Sequence, residues 1–419
     1  MKRKLLLLLP LLAAQFGCYA ADPDGGLHLE DAIASALRNN PELRAYEAQI
    51  SAARGAVTTA RTWDNPELDI APGIRVTRDA GVRNPVAYGD FSLSQTLKFP
   101  GKRALEVAIA QRNVELQQLA LEGYRFQLSA KVRKAFYQML AGQQIIGLRK
   151  DQVASANDFF ESAKKRAESG YASDFEMLKS QAEFISANRA LQQAEGQAAA
   201  ARVMLNTLMA RPPSASLRIA GSLNQIAASG AQKDYVALAL ARNPGLRSQI
   251  KEGQLAGLNL SSAKLSRKPD FKIGPSLEYT DVEQTASLQF SVPLPLWDQK
   301  SGDIQKATAE RKKALAELDK LRLEIAGEVT AATVSLQTAK AAAALYTPDF
   351  LRQLRALVDQ AEQGYTQNST TLIIYLDAKR TYFDTLSDYY EALSKVAESY
   401  ADLESAVGAP LEMKTPRSH

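Results

Sequence analysis

The chain has 419 residues, 46% of them hydrophobic and 23% charged, with 51 Lys and Arg against 46 Asp and Glu. Those fractions exclude wholesale disorder and leave room for a large core. One Cys and two His (His28 and His419) exclude a disulfide scaffold and a Cys-rich zinc module, and leave little for His-based metal or acid-base chemistry. A net charge of +5, mixed in sign along the chain, is a weak argument for nucleic acid, and none is expected as a partner.

In chain order, Lys2, Arg3 and Lys4 precede an apolar run from Leu5 to Ala14. This is the layout of an export signal, 1–20, cut after Ala20. The run is too short to span a bilayer, which needs about 20 apolar residues. Two other readings stay open: a lipoprotein acylated on Cys18, or a buried N-terminal helix. Cleavage after Ala20 removes three basic residues and lowers the net charge to +2. No later segment has the apolar length of a membrane helix. A soluble periplasmic protein and an outer-membrane β-barrel both remain possible.

The sequence is written twice. ALRNNPELR (36–44) recurs as ALARNPGLR (239–247), an offset of 203 that also carries Pro66 onto Pro269. LSQTLKFPG (93–101) aligns with FSVPLPLWD (290–298) at an offset of 197. Leu178 aligns with Leu376, and Gly170 with Asn368. Gly and Asn are residues that readily end a helix. A repeat of this length is a duplicated structural unit, not a solenoid. The first unit spans 27–211, a linker 212–231, the second unit 232–410 and a C-terminal tail 411–419.

Each unit has the same predicted order. An amphipathic helix comes first (about 28–62 and 232–266), then two strands, then a long helical stretch (about 101–168 and 299–362), a break, and a last helix (about 172–209 and 371–407). Apolar or small residues recur every seven positions from Val107 through Val114, Leu121 and Leu128 to Ala135. In the second unit Leu318, Leu321, Ile325, Val329, Ala332 and Leu336 follow steps of three and four. This spacing is that of helices packed as a coiled coil. At 1.5 Å per residue, some 65 residues make a rod of roughly 100 Å, which must pack along its length.

The strands, about 67–78, 87–99, 270–281 and 285–296, alternate apolar and polar residues over about ten positions. That is the pattern of a transmembrane β-strand. Trp63, Trp297, Phe99, Tyr88 and Tyr279 lie near strand ends, where interface aromatics belong. An amphipathic sheet lying on the helices fits the same pattern. If the strands do span a membrane, four per chain are too few to close a barrel, so several chains must share one.

The duplicated NNPELR/RNPGLR segment, the passages LKFPGKR (97–103) and VPLPLWDQK (292–300), and the turn from Gly170 to Ser173 together resemble the TolC-type outer-membrane efflux proteins. The wording of the two passages is most similar to the heavy-metal cation branch, which serves cobalt-zinc-cadmium or copper-silver exporters. The resemblance covers about 27–410. It implies a mainly α fold with a small β part: a trimeric α-barrel in the periplasm topped by a shared twelve-stranded transmembrane β-barrel. It further implies a homotrimer in outer-membrane lipid that works with a periplasmic adaptor and an inner-membrane proton-driven pump. The helix breaks would meet at the periplasmic tip. There Asp377, and more loosely Asp174 and Glu176, would constrict the pore, with Gly170, Ser173 and Asn368 in the turns. An ordinary helix-start acid is the other reading of Asp377.

FPGKR (99–103) lacks the first Gly and the closing Ser/Thr of a phosphate loop. No nucleophile elbow and no metal-spaced cluster occurs, and the carboxylates sit beside Lys and Arg as on solvated helix faces. The expectation is a passive exit duct with no catalytic residues, no metal site and no cofactor. A type I protein secretion duct and a pore-less periplasmic scaffold are the alternatives.

Overall fold

The protein, a computed structural model, is described over residues 26–79, 82–169, 173–223, 234–280, 283–367 and 369–411. Cys18, Gly170 and Asn368 lie outside these residues.

Each unit begins with two helices rather than the single one expected. They are α1 (Leu29–Asn39) and α2 (Pro41–Arg61) in the first unit, and α5 (Tyr235–Arg242) and α6 (Pro244–Leu265) in the second. The break is Asn-Pro. Pro cannot continue the preceding helix but suits the first position of the next. The Asn40 side chain accepts the Glu42 N–H at 2.9 Å, and Asn243 accepts those of Gly245 and Leu246 at 2.8 and 3.2 Å. Each Asn also donates to the end of a distant helix, Asn40 to the Leu208 carbonyl and Asn243 to that of Ala406. The repeated residue therefore does the same structural work twice.

The rods follow. Helix α3 (Lys102–Glu168) is unbroken over 67 residues and packs on α4 (Asp174–Leu208). Its seven-residue stripe grows more buried with distance from the sheet. Val107 and Val114 are half-buried, while Leu121, Leu128 and Ala135 are buried. The second rod was expected to be continuous and is not. It divides into α7 (Ser301–Ala344) and α8 (Pro348–Thr366), followed by α9 (Leu372–Val407). Pro348 has no N–H for the helical ladder, and the Thr347 hydroxyl accepts the Phe350 N–H to start a new helix.

The main core lies where α1, α3, α4, α7 and α9 meet. Leu128, Val132, Phe136, Leu205, Val329 and Leu403 are almost fully buried there. Arg133 lies buried in it, 3.3 Å from Glu404.

The strands are β1 (Glu67–Asp79), β2 (Val82–Leu97), β3 (Phe271–Thr280) and β4 (Gln284–Ser291). They form one antiparallel sheet in sequence order, with β1 and β4 at the edges. β2 begins five residues before its expected start. β4 stops at Ser291 instead of 296, because Pro293 and Pro295 can donate nothing to a ladder.

Candidate functional site: a two-faced sheet and a helical tip

The register places most of the large apolar strand residues on one face, with Val86 and Tyr88 on the other. Ile70 faces Phe91, Phe91 faces Leu277 and Leu277 faces Ala286. In the next row Leu68 faces Leu93 and Pro275 faces Leu288. These side chains remain exposed: Ile74 at 74%, Leu288 at 71% and Phe290 at 65%. From Leu68 to Val76 the strand runs roughly 26 Å at about 3.3 Å per residue. Tilted as barrel strands are, that approaches the apolar band of about 25 Å found on membrane barrels. No helix among the described residues is long and apolar enough to cross a membrane, so the sheet is the candidate for membrane contact.

The opposite face is polar and bonded within itself. Lys272 pairs with Glu67 at 2.5 Å, Arg75 pairs with Glu278, and Ser276 donates to Asp90 at 3.0 Å. An apolar face without a partner and a charged face with internal pairs are what a wall between lipid and a water-filled lumen requires.

The aromatics divide. Trp63, Phe99 and Trp297 adjoin the end of the sheet that joins the helices, and Tyr279 lies near the β3–β4 turn at the other end. Trp297 is 92% exposed, and the Arg103 guanidinium lies 4.4 Å over the Trp63 ring. Tyr88 differs from Tyr279 in its face. Its pairing with Gly73 and Thr280 sets it on the polar face, where Arg75 lies 5.2 Å over its ring. One residue of parity decides the face.

At the far end of the rods, Ser173 caps α4 by accepting the Glu176 N–H at 3.3 Å. Asp174 and Glu176 occupy the first turn of α4, where the helix dipole favours acids. Asp174 is exposed and Glu176 half-buried. Asp377 is exposed, and no ion pair among the described residues reaches it. It is the sixth residue of α9, past the first turn, so the helix dipole does not account for it.

The structure adds a group that the sequence reading missed. Tyr365 of α8 and Tyr375 of α9 stack with centroids 5.4 Å apart, and Phe159 of α3 meets both rings at 5.6 and 5.4 Å. Arg166 donates to the Tyr365 hydroxyl at 3.3 Å, and Tyr375 donates to Glu362 at 3.3 Å. Burial, with the nearby Glu176 charge, raises the Tyr365 hydroxyl above its usual range. Lys379 lies 4.6 Å over the Tyr375 ring and donates to Ser155 at 2.6 Å. These contacts tie the α8–α9 hairpin to α3 and bring Glu176 near Tyr365. Two tyrosines ten residues apart across a helix break were the signal available in the sequence. Among the described residues, no group of three or more His, Cys, Asp or Glu stands close enough to hold a metal ion.

Comparison with known proteins matches this architecture. Residues 32–211 and 235–409 match the family model described as outer membrane efflux protein. The cobalt-zinc-cadmium resistance protein CzcC of Cupriavidus metallidurans is 22% identical over 386 residues, which is 92% of this chain and 90% of CzcC. Protein CyaE of Bordetella pertussis is 26% identical over 77% of this chain and 71% of CyaE. Among solved structures, CusC superposes with a TM-score of 0.76 at 14% identity, over 91% of this chain and 92% of CusC. The open-state MtrE outer membrane channel of Neisseria gonorrhoeae gives 0.69 at 17%, over 93% of this chain and 90% of MtrE. The two solved structures share the fold.

Proposed function

Because the chain belongs to the outer membrane efflux protein family, we propose that three copies close one twelve-stranded barrel and form the passive exit duct of a tripartite pump for heavy-metal cations. The observation that carries this is the sheet. Among the described residues its apolar face stays exposed, and its edge strands β1 and β4 pair with no further strand. Open edges are not tolerated in lipid, so identical copies must supply the neighbours. The cation assignment rests on the similarity to CzcC over nine-tenths of both chains.

In this reading Trp63, Phe99 and Trp297 sit at the periplasmic interface of the outer membrane, and Tyr279 at its outer interface. The helices continue the duct into the periplasm, where an adaptor links it to a proton-driven inner-membrane pump. No catalytic step and no cofactor are needed, because the pump supplies the driving force. At the tip, Asp377 from three copies forms a ring of carboxylates that concentrates cations, supported by Asp174 and Glu176.

The test combines two measurements. Purified protein in planar bilayers should conduct. A deletion strain should become sensitive to cobalt, zinc, cadmium, copper or silver. Recovery as a soluble periplasmic monomer without conductance would overturn the duct and leave a scaffold. Unchanged metal tolerance alongside a lost protein export would redirect it to type I secretion.

A further inference from the structure

The chain is written twice, so the joint between its halves is a pattern for the joint between copies. Within the chain that joint is β2 against β3: Phe91 faces Leu277, and Gly89 faces Tyr279. In a closed barrel the same joint recurs as β4 against β1 of the next copy. The equivalence of the halves can be read from the structure. Asn40 and Asn243 have the same contacts and the same dihedrals within a few degrees, and the 203 offset between them reaches the strands at Pro66 and Pro269. At that offset Ile70 corresponds to Ile273. Ile70 pairs with Phe91 and Ile273 with Phe290, so Phe91 corresponds to Phe290. The offset for these strands is therefore 199, not the 197 of the sequence alignment. The residues just before α3 and α7 agree. Gly101 (φ 94°) and Lys300 (φ 56°), also 199 apart, are both left-handed.

From this correspondence we infer that β4 pairs with β1 of a second copy in one register, with Phe290 opposite Ile74 of the partner subunit. Leu288 then faces Val76 of the partner subunit, and Gln289 faces Arg75 of the partner subunit. The inference rests on the trimer reading and adds the residue pairing to it. Slipping by one residue would set polar against apolar faces. Slipping by two keeps the faces but breaks the equivalence of the halves. The exposures fit a missing neighbour at the edges. On the apolar face, Ile74 and Leu288 are 74% and 71% exposed, whereas Phe91 and Leu277 on the central strands are 48% and 49%.

Disulfide trapping tests the register. Residues directly opposite in an antiparallel pair lie about 4.5–5.5 Å apart at Cα, within disulfide reach, whereas residues two positions off lie about 7–8 Å apart and are out of reach. The variant Ile74→Cys/Phe290→Cys, oxidised in outer membranes, should run as a reducible covalent trimer. The slipped pairs Ile74→Cys/Leu288→Cys and Ile74→Cys/Val292→Cys should trap at least about tenfold less. Arg75→Cys/Gln289→Cys on the polar face repeats the test if the first variant fails to assemble. Wild type, whose single Cys is Cys18, gives the background. Preferential closure of a slipped pair overturns the register while the trimer stands. So does failure of every pair in protein that has a trimer's mass in detergent. A monomer's mass for wild type removes the trimer reading itself.

Discussion

The Lys102 ammonium at the start of α3 lies 2.8 Å from the Asp270 carboxylate just before β3, and this contact fastens the first half of the chain to the second. Asp270 also accepts the Phe99 N–H at 2.7 Å. Burial pushes its pKa up, but the hydrogen bonds from Lys102 and Phe99 and the charges of Lys102 and Lys98 outweigh it. The carboxyl is held below its usual value. A carboxyl depressed in the folded state contributes stability above its unfolded pKa and loses it as pH falls through the folded value. Asp270→Asn should therefore cost about 1 kcal/mol at neutral pH, given the partial exposure. The gap from wild type should close below about pH 4. Thermal melts of the assembled protein across pH measure both.

Lys379 gives the opposite sign. Burial holds its pKa below the usual lysine value, against the raising charges of Glu362 and Asp158. The folded form thus disfavours the ammonium. Stability of the tip should rise as pH climbs through the folded pKa and level off near the unfolded value of about 10.4. Lys379→Met should remove that rise. Hydrogen exchange at the ends of α8 and α9, followed against pH, reads it locally.

Gly274 should tolerate no side chain. A Cβ there would lie 1.8 Å from the Leu93 carbonyl oxygen, so β2 and β3 approach too closely for one. Gly274→Val should split the sheet and reduce assembled protein in the outer-membrane fraction severalfold. Normal levels would show that the strands part without cost.

Asp377→Ala should raise conductance or weaken block by cations added on the periplasmic side. An unchanged current-voltage curve with unchanged block would leave Asp377 a surface acid. Asp174→Ala and Glu176→Ala, made separately, rank the three carboxylates.

Phe136 is 2% exposed in the main core. Phe136→Ala should lower stability by about 3–5 kcal/mol through lost burial and a residual cavity. Denaturant unfolding in detergent provides the measure, and a loss below about 1 kcal/mol would mean that the core collapses around the gap.

Much of the fold was legible in the chain because it is periodic. The seven-residue stripe through Leu121 and Leu128 and the two-residue alternation in the strands each name a partner surface. The duplicated Asn-Pro was legible as a repeat, though not as two helices. The break at Pro348 carried a local signal, Thr347 before Pro348, which was not weighed against the periodicity that ends at Leu336. At the tip, Ser173, Asp174 and Glu176 were expected only from the family resemblance; the structure sets them at the start of α4. In the stack of Phe159, Tyr365 and Tyr375, the two tyrosines flank a helix break that the sequence shows, but no local pattern announces that Phe159 of the distant α3 meets them.

The sequence by itself determined the duplicated unit, the rods and the existence of two-faced strands, since these depend on local periodicity and backbone chemistry. Only the tertiary structure decided which strand residues lie opposite one another, that no ion pair among the described residues reaches Asp377, and by how many residues the two halves are offset. Those depend on register and on packing between distant segments. A difference of two residues between the sequence alignment and the strand register changes which residue of β4 corresponds to Phe91.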